Sequence, residues 1–123
     1  MLDHISIGVR DLKQARAFYD AVLSPLGYSA LASGDGYLGY GKDGVQLWLT
    51  PTGSPVPADP KSGLHICFRA PDRGAVDAFH AAALAGGGSD NGAPGLRPDY
   101  GDSYYAAFAV DPDGYRIEAY CGA

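Results

Sequence analysis

The chain is poor in the residues that mark several large protein classes. It has 2 cysteines, Cys67 and Cys121, too few for a disulfide framework. A reducing, cytoplasmic compartment is therefore expected. Its 9 lysines and arginines are outnumbered by 14 acids, for a net charge of −5, and they form no basic run. A nucleic-acid partner or an anionic membrane surface is not expected, since nothing could neutralise a row of phosphates. No apolar run approaches the roughly 18 residues of a membrane span. The opening Met1-Leu2-Asp3-His4 has neither the basic nor the apolar stretch of a secretion leader. Glycine (18) and tyrosine (9) are abundant, as tight turns and polar-tipped aromatic walls require. The length, 123 residues, is that of one domain.

The chain is also written twice. Shifted by 61 residues, segment 3–23 matches segment 64–84 at seven positions: His4/His65, Ile5/Ile66, Asp11/Asp72, Ala17/Ala78, Phe18/Phe79, Ala21/Ala82 and Leu23/Leu84. About two would be expected from so alanine-rich a composition. Each copy opens with alternating apolar residues, Ile5, Ile7 and Val9 or Ile66 and Phe68, the period of a half-buried strand. Each then reaches an aspartate fit to cap a helix, Asp11 or Asp72. Helix 12–23 puts Leu12, Ala15, Phe18 and Val22 on one face, and helix 73–85 puts Val76, Phe79 and Ala83 there. Gly27 and Gly86-Gly87-Gly88 end them.

Strands are expected at 28–33, 36–41 and 45–50 in the first copy, and at 103–110 and 115–120 in the second. Asp43-Gly44 and Asp113-Gly114 mark the hairpin turns. Segment 87–100 is rich in Gly, Pro, Asn and Asp, and shows no clear strand. The expected fold is α+β: two paired βαβββ modules, 1–50 and 63–123, joined by linker 51–62 into a single domain, with the sheet faces away from the helices curved into a cup.

The alternation that buries Ile5, Ile66 and Ile117 turns His4, His65 and Glu118 toward that cup. Two imidazoles and a carboxylate form a facial triad, which leaves positions open on a divalent metal. Taken alone, a strand histidine is more often a plain satisfied polar group. Here the two histidines hold matching repeat positions, and a carboxylate faces the same side. Glu118 stands four residues after Gly114; the matching position after Gly44 is Trp48, which cannot ligate. Trp48 is then a cavity wall or a stacking surface for a planar substrate.

Arg116 and Tyr120 flank Glu118, and Cys67 shares a face with His65. Arg116 could hold a substrate carboxylate or phosphate, or pair with an acid at the rim. Cys67 reads as a small buried filler more than a nucleophile. Tyr100, Tyr104 and Tyr105 lie in or after the glycine-rich segment. One of them, Tyr104 foremost, could donate a proton or hydrogen bond to a bound oxygen. His80 reads as a helix-surface residue.

The run His4-Ile5-Ser6-Ile7, Asp11-Leu12, Phe18-Tyr19, Gly63-Leu64-His65-Ile66, Asp111-Pro112-Asp113-Gly114 and Ile117-Glu118 resembles the glyoxalase, bleomycin-resistance and extradiol-dioxygenase superfamily, the vicinal oxygen chelate proteins. The resemblance implies the paired βαβββ cup, one divalent ion (Zn, Ni, Mn, Fe or Co) on His4, His65 and Glu118, a small-molecule substrate and a homodimer that can exchange modules. It implies lyase, isomerase or dioxygenase chemistry; alternatively a thiol transferase of the fosfomycin-resistance kind, or a drug-sequestering protein of the bleomycin-resistance kind. Trp48 departs from the four-ligand glyoxalase I pattern. Phe108 stands where the extradiol enzymes carry a tyrosine.

Overall fold

Two aspartates start the two helices. Asp11 accepts from the backbone N–H groups of Lys13 and Gln14, and helix α1 runs from Leu12 to Leu23. Asp72 accepts from Ala75 N–H, and α2 runs from Arg73 to Ala85. A 3-10 turn, Ser24–Leu26, prolongs α1 and closes at Gly27, whose φ of +90° belongs to the left-handed region. The computed structural model describes residues 1–56, 59 and 61–122, so part of the expected linker 51–62 lies outside the described residues.

Around the helices lie eight strands: β1 (Ile5–Val9), β2 (Ser29–Gly34), β3 (Tyr37–Gly41), β4 (Val45–Pro51), β5 (Ile66–Arg69), β6 (Ser89–Leu96), β7 (Tyr105–Val110) and β8 (Arg116–Cys121). They form two four-stranded sheets of matching order, β1-β4-β3-β2 and β5-β8-β7-β6. In each, the first strand pairs parallel with the last strand of its module, and the other pairings are antiparallel. The paired βαβββ modules and the α+β class are thus as the repeat led one to expect.

Strand β6 is the addition. Segment 87–100 gave no strand signal, yet Ser89–Leu96 pairs with β7 through two register shifts, at Asp90/Gly92 and Gly92/Gly95. An edge strand tolerates Pro94, and bulges absorb the glycines, so the usual alternation is broken. His80 is also more than a surface residue. Its Nε2 lies 2.8 Å from Asp90 Oδ1, tying α2 to this irregular strand.

The core lies between the sheets and the helices. Val9, Val22, Leu49, Val76, Phe79, Ile117 and Ala119 are fully buried. Strand β7 contributes Ala107 and Ala109, both buried, to this core; small side chains on that side of the strand allow α2 to lie close upon it. The modules meet through their helices, with Phe18 of α1 seated beside Gly86 and Gly88.

Polar bonds also join the modules. Tyr19 O–H donates to buried Asp111 at 2.6 Å, and Asp111 also accepts from the N–H groups of Asp113 and Tyr115. Tyr115 O–H donates to the Gly8 carbonyl, and Tyr28 O–H to that of Arg69. The Asp111-Pro112-Asp113-Gly114 segment is therefore a turn whose first carboxylate organises its own backbone and clamps the opposite module.

Candidate functional site

The register makes the repeat visible in space. Trp48 of β4 faces Ser6 of β1 and Gly39 of β3. Glu118 of β8 faces Cys67 of β5 and Phe108 of β7. Ser6 and Cys67 are 61 residues apart, so Trp48 and Glu118 hold equivalent places in the two modules, each at the centre of a sheet face. On the first face a Cβ at residue 39 would come within 2.7 Å of the Trp48 ring. Glycine there lets the indole lie down on the sheet, and Tyr37 meets it edge-on at 6.2 Å.

On the second face Glu118 is the buried centre, its side chain only 3% exposed. Burial of a carboxylate requires compensation, and both oxygens have it. His65 Nε2 lies 2.9 Å from Oε1, and Tyr104 O–H donates to Oε2 at 2.5 Å. His65 itself is 46% exposed, so the pair opens to solvent. Tyr104 stacks on Tyr120 with ring centroids 4.1 Å apart and meets Tyr100 edge-on at 5.3 Å. His65 meets Phe108 edge-on at 6.2 Å.

These neighbours set the proton affinities. Desolvation, then Glu118, raises the Tyr104 hydroxyl well above its ordinary value, so it stays a donor near neutral pH. Burial, with Glu118 beside it, pushes the Cys67 thiol up to about 12. A thiol so shifted is a poor nucleophile. Cys67 is nevertheless exposed on the open face of β5, so it is not the buried filler expected from the sequence.

The structure thus gathers Glu118, His65, Tyr104, Tyr100, Tyr120 and Cys67 on one sheet. Arg116, two residues before Glu118, shares its face. Tyr105 does not join them; it alternates to the helix side and donates to Asp77. His4 and Trp48 belong to the other module. His4 lies 2.6 Å from Asp3. Among the described residues of one chain, no three His, Cys, Asp or Glu side chains come together. One chain therefore brings two of the three expected metal donors to one place, and His4 stands apart from them.

Between the modules runs a cleft of about 400 Å3, lined by Asp3, His4, Tyr28, Gln46, Cys67 and Tyr120 among others. Phe108, Arg97 and Tyr37 also border the two faces, and sequence reasoning did not single them out as site residues. Phe108 could have been found by counting alternate residues back along β7. Arg97 could not, because the bulges of β6 break that count.

The comparisons with known proteins agree with this architecture. Residues 1–119 match the family model of the Glyoxalase/Bleomycin resistance protein/Dioxygenase superfamily. A crystal structure of a glyoxalase/bleomycin resistance protein from Albidiferax ferrireducens T118 is 33% identical, with a TM-score of 0.85 and 98% of both chains covered. Two more distant structures share the fold. FosX, the genomically encoded fosfomycin resistance protein of Listeria monocytogenes, is 19% identical with a TM-score of 0.72, covering 100% of this chain and 93% of that one. A V278E mutant of Zea mays glyoxalase I is 22% identical with a TM-score of 0.73, and 97% of this chain spans 45% of it. A search of curated proteins returns no match. With its matched modules and a family match over nearly its full length, this chain belongs to the glyoxalase, bleomycin-resistance and dioxygenase superfamily.

Proposed function

We propose that the chain is a cytoplasmic, glyoxalase-like metalloprotein that works as a homodimer, with modules 1–50 and 63–123 acting as one domain. Each metal site would take His65 and Glu118 from one chain and His4 from the other. The observation that carries this reading is the buried Glu118, already aligned with His65 at 2.9 Å on the open side of the sheet. A carboxylate and an imidazole converging on one solvent-facing spot are two adjacent donors for a single divalent ion.

The edges of the sheets favour completion by a second copy. Strands β1 and β5 are edge strands. Beside them, next to the two histidines, lie the exposed apolar residues Leu2, Ile5 and Leu64. Exposed apolar groups beside a sheet edge form a surface that proteins normally cover. Covering them with a second copy would bring His4 toward the His65 and Glu118 of its neighbour, and the Trp48 face opposite the Glu118 face.

A bound divalent ion would supply Lewis acidity to adjacent oxygens of a small substrate. The protein's own part is definable. Glu118 and His65 would hold the ion, and Tyr104 orients Glu118 while keeping a proton available as a donor to oxygen. Tyr120 and Phe108 border the reacting end, Tyr100 stands exposed beside Tyr104, and Arg116 lies at the rim. This fits lyase, isomerase or dioxygenase chemistry, and the His, His, Glu set equally suits a thiol transferase.

One observation favours a second reading. With only two donors together in one chain, and both Glu118 oxygens already satisfied, the aromatic cleft could act without metal as a sequestering site for a small apolar compound. Metal content separates the two. Protein purified without chelator should carry one Zn, Ni, Mn, Fe or Co ion per chain, and His65→Ala and Glu118→Gln should each weaken retention by about tenfold or more. Metal-free wild-type protein that binds apolar ligands equally well after either substitution would establish the sequestering reading instead.

A further inference from the structure

Three arginines share the Glu118 face in a chain whose net charge is −5. Arg116 lies two residues from Glu118 along β8, and Arg69 two residues from Cys67 along β5, so alternation puts both on that face. Arg97 reaches it from the end of β6. Its guanidinium carbon stands 5.4 Å over the Phe108 ring, and Phe108 is the register partner of Glu118. Among the described residues none of these three arginines has a carboxylate within ion-pair distance, and Glu118 is the only acid on the strands of this face. Asp90 of β6 is turned to the helix side by His80.

Arg97 is held there by backbone. Its Nη2 donates to the Ala93 carbonyl at 2.7 Å, which uses one of five N–H donors. The bulge of β6 makes room for it: a Cβ at Gly92, where φ is +147°, would lie 3.1 Å from Phe108 and 3.2 Å from Arg97 Nη2. The result is a half-buried cation, fixed over an aromatic ring and without an anion.

We propose that this face takes a small organic acid and that Arg97 anchors its carboxylate. The inference rests on the reading of His65 and Glu118 as the metal-holding end. A planar guanidinium fork matches a carboxylate in two hydrogen bonds, a fit that lysine does not reproduce. Phe108 lies between the two ends, touching His65 on one side and Arg97 on the other. A substrate whose adjacent oxygens sit at the end that His65 and Glu118 would furnish with a metal presents its acid group to Arg97, with its middle over Phe108. Arg116 and Arg69 add positive potential without needing contact.

The test uses two probes that differ only in the acid group, 3,4-dihydroxybenzoate and catechol, titrated calorimetrically into the full chain loaded with Mn. The acid should bind about tenfold more tightly than catechol. Arg97→Gln should remove that preference without altering catechol affinity or metal content, and Arg97→Lys should restore part of it. Equal affinity of the wild type for both probes, or a preference unchanged in Arg97→Gln, would overturn the anchor. Benzoate against benzyl alcohol, titrated into metal-free protein, keeps the two readings apart. Arg97-dependent benzoate binding in a protein that takes up no metal would retain the anion site and sink the metal reading. Full metal uptake with no acid preference would do the reverse.

Discussion

Among the described residues Glu118 and Asp111 are the buried acids, and they are stabilised by different means. Glu118 has a histidine and a tyrosine that remain partly open to solvent, so its neighbourhood can accept a ligand. Asp111 is enclosed by two backbone N–H groups and Tyr19 O–H, and burial raises its pKa despite them. Its environment is closed and serves the module junction. Tyr19→Phe removes one of these three donors from a buried acceptor. The expected loss of stability is about 1–3 kcal/mol, measured by urea denaturation, with metal binding unchanged. At this scale the sequence was informative wherever alternation held. His65, Glu118, Cys67 and Tyr120 could be assigned to one face by counting twos. The role of Asp111 could not, because its partner Tyr19 is 92 residues away and on a helix.

The elements were legible where a local signal exists. Each helix begins on an aspartate whose side chain satisfies the first free N–H groups. Asp72→Ala should therefore cost about 1 kcal/mol, seen as a lower thermal midpoint, while the fold persists. Strand β6 illustrates the opposite case. Its sequence Ser-Asp-Asn-Gly-Ala-Pro-Gly-Leu lacks both β propensity and period. What makes it a strand is pairing with β7 and the His80 tie from α2, both tertiary. Arg97 was hidden for the same reason. A residue beyond two bulges has no side that counting can assign, and its place over Phe108 appears only in three dimensions.

At the scale of the whole molecule the repeat accounts for the matched places of His4 and His65 and of Trp48 and Glu118. Duplication places one histidine at the head of each module and one central residue on each sheet, Trp48 or Glu118. It does not say which modules face each other. Within the chain they meet through α1, α2, the Asp111 clamp and the tyrosines that cap Gly8 of β1 and Arg69 of β5, and His4 is not gathered with Glu118. The facing of His65 and Glu118 could be read from strand alternation, whereas any sharing of donors between chains would depend on how modules pack, which no local pattern encodes. A shared site makes a sharp demand. Co-purified mixed dimers of a His4→Ala chain and a Glu118→Gln chain carry one site with both lesions and one with neither. Each variant alone should hold little metal, while the mixed dimer should hold one ion per two chains. A mixed dimer as empty as its parents would mean that each site draws its donors from a single chain, and would contradict the account.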